Sequence, residues 1–198
     1  MTKIKTLNSI KEELFACSKC KICTSQQVFF TGNPDAKAVF IGEAPGKDEV
    51  KECKPFVGAA GKNLSKYLKD VGIDREKDLY ITNVVKCRPT KDGNPNKNKT
   101  PESHEVSACV NFLFREIEAV NPQLIVLCGG TAYKALTGKK TITMGKIRGK
   151  FFELELNGKT YNAITIFHPS FLMQYASKEQ IEITIEDLKN IKSYLDLK

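Results

Sequence analysis

The chain has 198 residues, 41% of them hydrophobic, which is enough for one domain, here read as residues 1–198, with a substantial core. Lys and Arg together number 31 against 23 acidic residues, and the formal charge of +8 makes a polyanionic partner plausible. No apolar run approaches the ~18 residues of a membrane span, and the opening Met1-Thr2-Lys3-Ile4-Lys5 leads into an amphipathic stretch rather than the apolar core of a secretory signal. With seven cysteines, an odd number, the expected compartment is a reducing cytoplasm, where cysteine clusters mean metal more often than disulfide.

In chain order, residues 7–16 read as a short helix leading to Cys17. Ala38 to Ile41 is a continuous apolar run, as in a strand buried on both faces, and Gly42-Glu43-Ala44-Pro45-Gly46 is a turn. Residues 60–71 repeat apolar positions at Leu64, Tyr67, Leu68 and Val71, with Gly72 as the C-terminal stop of a helix. Residues 79–85 are the next strand, and residues 90–100 a loop rich in Lys, Asn, Gly and Pro. Thr100-Pro101 predicts a helix start, with Thr as N-cap and Pro at the first position, running to about Val120. Residues 124–128 are a third buried strand, followed by Gly129-Gly130 and a helix to Leu136. Two more strands, 151–156 and 161–167, are joined by an Asn157-Gly158 hairpin turn, and residues 178–196 close the chain as a helix. Strands alternating with helices predict an α/β sandwich around a mostly parallel sheet.

Four cysteines form two distant pairs: Cys17 and Cys20 near the start, Cys87 and Cys109 on either side of the basic loop. Such a split set of thiolates can hold zinc or a [4Fe–4S] cluster, and spacing alone does not separate the two. Cys23 extends the first pair to C-x2-C-x2-C, as a spare ligand or as a thiol packed or exposed nearby. Cys128 reads as core, Cys53 as exposed among charges.

The unusual turns fall at strand ends: Gly42–Gly46, Asn83, and His168-Pro169-Ser170. Ligands of open parallel sheets bind beyond the carboxyl ends of strands, so these segments are expected to meet in one pocket. Pro55-Phe56-Val57-Gly58 can add an aromatic face. A stacking ring, an amide, backbone N–H groups and an imidazole are the parts needed to grip a flat heterocycle.

Gly42-Glu43-Ala44-Pro45-Gly46, Pro55-Phe56-Val57-Gly58-Ala59-Ala60-Gly61, Thr82-Asn83-Val84-Val85-Lys86-Cys87-Arg88-Pro89 and His168-Pro169-Ser170 together resemble family 4 uracil-DNA glycosylases, from Cys17 to the last helix. The resemblance implies a three-layer α/β/α fold, a [4Fe–4S] cluster on Cys17, Cys20, Cys87 and Cys109, and hydrolytic excision of uracil from single- or double-stranded DNA in base excision repair. It implies a uracil pocket of Gly42, Glu43, Ala44, Phe56, Asn83 and His168. An amide at Asn83 can satisfy uracil's O4 acceptor and N3–H donor together, a pattern that cytosine reverses. His168 and the N–H groups of the Gly42–Gly46 turn are placed to stabilise the uracil anion, and Glu43 to orient water, with Asp48 and Glu49 as alternatives. Lys86, Arg88, Lys91, Lys97, Lys99, Lys146, Arg148 and Lys150 are candidates for phosphate contacts, and the expected form is a monomer.

Three departures stand out. Val50 replaces an acidic residue common in the family, Cys53 replaces a glycine, and the 88–109 loop is long. Its ending Lys97-Asn98-Lys99-Thr100-Pro101 resembles a branch that crosslinks itself to uracil-containing DNA through a loop histidine, but Asn98 occupies that position. The alternative reading is therefore a uracil-DNA-binding or self-crosslinking protein without turnover. His104 is expected on the surface.

Overall fold

A computed structural model of the chain describes residues 2–24, 26–94, 96–173 and 176–197, without the side chains of Cys23 and Thr24, so the question of Cys23 as a ligand lies outside the described residues. In chain order the elements are α1 (Lys3–Phe15), β1 (Thr31–Gly32), β2 (Ala38–Gly42), α2 (Lys47–Glu52), α3 (Ala59–Asp70), α4 (Arg75–Asp78), β3 (Leu79–Asn83), α5 (Ser103–Val120), β4 (Leu124–Cys128), α6 (Gly130–Thr137), α7 (Met144–Ile147), β5 (Phe151–Leu156), β6 (Lys159–Ile166) and α8 (Lys178–Leu195), with short 3-10 turns at Lys21–Thr24, Lys91–Gly93 and Pro169–Leu172.

Among the described residues the strands form one six-stranded sheet in the order β1-β3-β2-β4-β6-β5. The four central strands are parallel, and β1 and β5 close the edges antiparallel. Every position of β2, β3 and β4 is buried, and alternation sorts their side chains onto two faces. Val39, Ile41, Tyr80, Ile125 and Leu127 join one core with residues of α1, α5 and α6. Ala38, Phe40, Leu79, Ile81, Leu124 and Val126 join another with α3 and α8. This is the expected three-layer α/β/α sandwich. Asn157 and Gly158 turn the β5–β6 hairpin with φ of 50° and 78°, the left-handed pair that a two-residue hairpin needs.

Several boundaries differ from expectation: the strand expected over 79–85 stops at Asn83, and the one expected over 161–167 runs Lys159–Ile166. The first helix begins at Lys3, four residues early. The helix predicted from Thr100 begins at Ser103, because the Glu105 carboxylate reaches back to the Glu102 N–H at 2.7 Å and makes Glu102 the cap. Lys99 reinforces that cap through both Glu102 and Glu105.

Candidate functional site

The strand order reverses between β2 and β4, and the carboxyl ends of the parallel strands open there into a cavity of about 620 Å³. Its walls include Glu43, Ala44, Phe56, Asn83, Asn98 and His168, from segments spread over more than half the chain. Gly42 lies directly behind them. A Cβ there would stand 2.4 Å from both the Asn83 Oδ1 and the Phe56 ring, so only glycine lets ring and amide settle over the end of β2. The Phe56 and His168 ring centroids are 6.1 Å apart, tilted by 34°.

Phe56 carries φ = 53°, a left-handed backbone that costs a bulky residue about 1–3 kcal/mol. Its neighbours hold it there. The first turn of α3 lies against it so closely that a Cβ on Gly61 would be 1.9 Å from the Phe56 carbonyl oxygen. Arg75 donates to the Phe56 and Pro55 carbonyls at 2.6 and 2.7 Å. Glu49 accepts the Gly58 N–H at 2.8 Å and the Gly46 N–H at 3.1 Å, bracing this loop against the turn after β2. Glu49 is therefore a brace rather than a holder of water, and the Gly46 N–H is withdrawn from the donors expected to face an anion.

His168 Nδ1 accepts the Ser170 N–H at 3.2 Å and meets the Ser170 hydroxyl at 2.7 Å. A backbone N–H can only donate, so Nδ1 is the acceptor and the ring proton sits on Nε2. Burial pushes the His168 pKa down to about 4, so the ring is neutral at physiological pH. Gly129, at φ = 93°, admits the imidazole: a Cβ there would be 2.7 Å from that of His168. Glu43 is fixed at one carboxylate oxygen by the Thr131 hydroxyl at 2.5 Å, a partner that nothing in the sequence pattern singled out.

The long loop folds back on itself. Thr90 and Asn98 pair as an antiparallel bridge, and the Lys91 N–H donates to the Lys97 carbonyl at 2.9 Å. The neck returns Asn98 to the cavity wall, where its Oδ1 accepts from Arg88 Nε at 2.7 Å. His104 is exposed, approaches Glu102 at 3.4 Å, and lines a neighbouring cavity with Lys21, Arg88 and Glu105 rather than the one holding His168.

The cationic candidates divide. Lys91, Lys97, Lys146 and Lys150 are exposed and Arg88 is half-buried at the rim. Lys99 is committed to Glu102 and Glu105. Arg148 turns toward the buried Asp187 at 3.4 Å and packs 5.9 Å from the Phe167 ring. Lys86 is not a surface group at all. It is wholly buried, ion-paired with Glu116, and donates to Thr82 Oγ1 at 2.6 Å. Glu116 also accepts from the Tyr80 and Thr82 hydroxyls, each at 2.9 Å. A phosphate cannot reach this network, so Lys86 leaves the set of DNA contacts.

Cys17 and Cys109 approach where the end of α1 meets α5. Cys17 packs on the same core as Cys109. Burial is the main cause that lifts the Cys109 thiol to about 11, with the Cys17 charge adding to the rise and Lys86 opposing it. The Lys86 N–H donates to Cys109 Sγ at 3.3 Å, Lys19 lies 5.3 Å from the Phe112 ring one turn along α5, and Lys21 and Ile22 share a cavity wall with Arg88. Among the described residues, no three His, Cys, Asp or Glu side chains stand close enough to hold one ion. Cys53 is exposed with φ = 54°, a left-handed backbone that favours glycine, and Cys128 is fully buried.

Residues 29–190 match the Uracil DNA glycosylase superfamily. The chain is 39% identical over 196 residues to a type-4 uracil-DNA glycosylase of Thermotoga maritima, covering 98% of this chain and 97% of that one. It is 39% identical over 175 residues to the type-4 enzyme of Archaeoglobus fulgidus, covering 86% and 84%, and 27% identical over 177 residues to a type-5 enzyme of Pyrobaculum aerophilum, covering 80% and 72%. The chain belongs to the uracil DNA glycosylase superfamily and, within it, to the type-4 group.

Proposed function

We propose that the protein binds DNA, takes an unpaired uracil into the cavity, and hydrolyses its N-glycosidic bond using Phe56, Asn83, His168 and Glu43. The observation that carries this reading is the neutral, Nε2-protonated His168 facing Phe56 across a pocket that also presents the Asn83 amide. The base leaves the stack at a cost of a few kcal/mol. Phe56 stacks on it, and Asn83 pairs with O4 and N3–H.

As the bond to the sugar breaks, negative charge builds on uracil O2. A neutral imidazole donating from Nε2 meets that charge without giving up its proton, and losing such a donor typically costs ~10²–10³ in rate. Glu43, fixed by Thr131, is the acid that can orient the attacking water. Lys91, Lys97, Lys146 and the rim Arg88 supply the phosphate contacts, and the exposed Met173 on the cavity wall offers apolar surface to the disturbed stack.

The all-thiolate set of Cys17, Cys20, Cys87 and Cys109 is of the kind that holds a [4Fe–4S] cluster, one thiolate on each iron. When bound, the cluster supplies a cross-link between the N-terminal turn, the exit of β3 and α5, and the hydrolysis itself exchanges no electrons. The test is His168→Ala: the single-turnover rate should fall by roughly 10²–10³ with DNA affinity and melting temperature little changed. A wild-type rate would remove His168 from the chemistry.

A further inference from the structure

The loop that carries Phe56 is held on one side by Glu49, through the Gly58 N–H, and on the other by a side chain outside the cavity. Arg75 opens α4, directly before β3, and its guanidinium points back under the loop. Nη1 donates to the Phe56 carbonyl at 2.6 Å and to Ser65 Oγ at 2.9 Å, and Nη2 donates to the Pro55 carbonyl at 2.7 Å. The side chain is only 14% exposed. The two carbonyls it holds flank the Cα of Phe56, the point where the backbone turns left-handed. Ser65 sits one turn beyond Gly61 on α3 and donates to the Gly61 carbonyl at 3.0 Å, so the guanidinium ties the strained residue to the helix it lies against.

We propose that Arg75 is a positioning residue for base binding: its planar fork holds the Pro55–Phe56 carbonyls so that the Phe56 ring stays where it stacks on the base. This rests on the reading of Phe56 as the stacking ring. A left-handed bulky residue relaxes toward the extended region once its carbonyls are released, and the ring then swings off Gly42. The fork geometry matters, because three donors fixed in one plane meet three acceptors; a lysine ammonium brings the charge without the plane. A group fixed by locked neighbours is the general requirement for a precise binding site.

The test is a double-mutant cycle on the intact, cluster-loaded protein, with Phe56→Ala, Arg75→Lys and the pair. Single-turnover rate is measured against protein concentration on a uracil-containing oligonucleotide, together with melting temperature and iron content. Phe56→Ala should weaken productive binding by about 5–150-fold, the range for loss of one stacked aromatic. Arg75→Lys should cost about 10-fold or more in the same quantity, as expected for a misplacement near 1 Å. Added to Phe56→Ala, it should cost nothing further, because the ring it positions is gone. Ser65→Ala removes one anchor and should give a smaller loss with the same dependence on Phe56, which keeps the test open if Arg75→Lys folds poorly. If Phe56→Ala has no effect, the stacking role is wrong. If Phe56→Ala is costly but Arg75→Lys and Ser65→Ala are silent, or their losses persist undiminished without the ring, Arg75 does not act through Phe56.

Discussion

Gly42→Ala is the smallest change that strains the whole base pocket. Gly42 ends β2 with an ordinary extended backbone, so alanine itself is tolerated there. Its methyl would stand 2.4 Å from the Asn83 Oδ1 and 2.4 Å from the Phe56 Cζ, where ordinary contact begins at 3.4 Å. Each group must retreat by about 1 Å, since 3.4 less 2.4 is 1.0. Displacement of that size in a reacting geometry costs up to ~10² in rate, and here the Phe56 ring and the Asn83 amide, proposed to stack on and recognise the base, move together. Overpacking a core position costs about 1–3 kcal/mol, which at ~2–4 °C per kcal/mol for a chain this long lowers the melting temperature by about 2–12 °C. The assay is single-turnover release of uracil from an oligonucleotide, beside melting followed by circular dichroism. A folded variant with activity down by about 10²-fold or more is the expected result. Wild-type rate and stability together would refute the placement of Phe56 and Asn83 over Gly42.

Three further outcomes follow from the same geometry. Lys86→Met leaves the Glu116 carboxylate buried without its cation, a loss of ~3–5 kcal/mol in urea unfolding. Adding Glu116→Gln should recover much of it and leave the salt dependence of DNA binding unchanged, whereas a flattened salt slope would return Lys86 to the DNA surface. Cys53→Gly should raise the melting temperature by about 1–4 °C, because a left-handed non-glycine costs ~1–2 kcal/mol and glycine's own flexibility returns ~0.5–1; a lower melting temperature would contradict this. His168 has its folded pKa depressed to about 4. Its contribution to stability is therefore full above the unfolded value of ~6.5 and fades as pH falls toward 4. The single-turnover rate should stay flat from pH 8 to 5, and an acid limb centred near 6.5 would show an imidazole that titrates normally.

The parts of the molecule that follow from local chemistry were legible in the sequence. The buried strands read as unbroken apolar runs, α3 as a 3.6-residue repeat ending at Gly72, and the hairpin from Asn157-Gly158. The pocket also followed, because strand ends of a parallel sheet share one rim. What escaped was pairing at a distance. Lys86 lies in a basic segment and reads as surface; only the fold brings Glu116 from α5 to neutralise it. Arg75 and Thr131 are unremarkable in sequence, and their value comes from reaching Phe56 and Glu43 across the chain. Glu49 looks like an acid near the reaction, but its two oxygens are occupied by backbone N–H groups of two different loops. The loop after Arg88 reads only as long, yet its bridge at Thr90 and Asn98 closes it and brings Asn98 to the cavity wall.

The central claim is excision with turnover. Anaerobically purified protein is incubated with a tenfold molar excess of an oligonucleotide bearing one uracil, and free uracil, bound DNA and denaturant-resistant adduct are each quantified. Uracil released well beyond one equivalent per protein, with no stable adduct, is the predicted result. An adduct capped at one equivalent, or reversible binding with no uracil released, would contradict it.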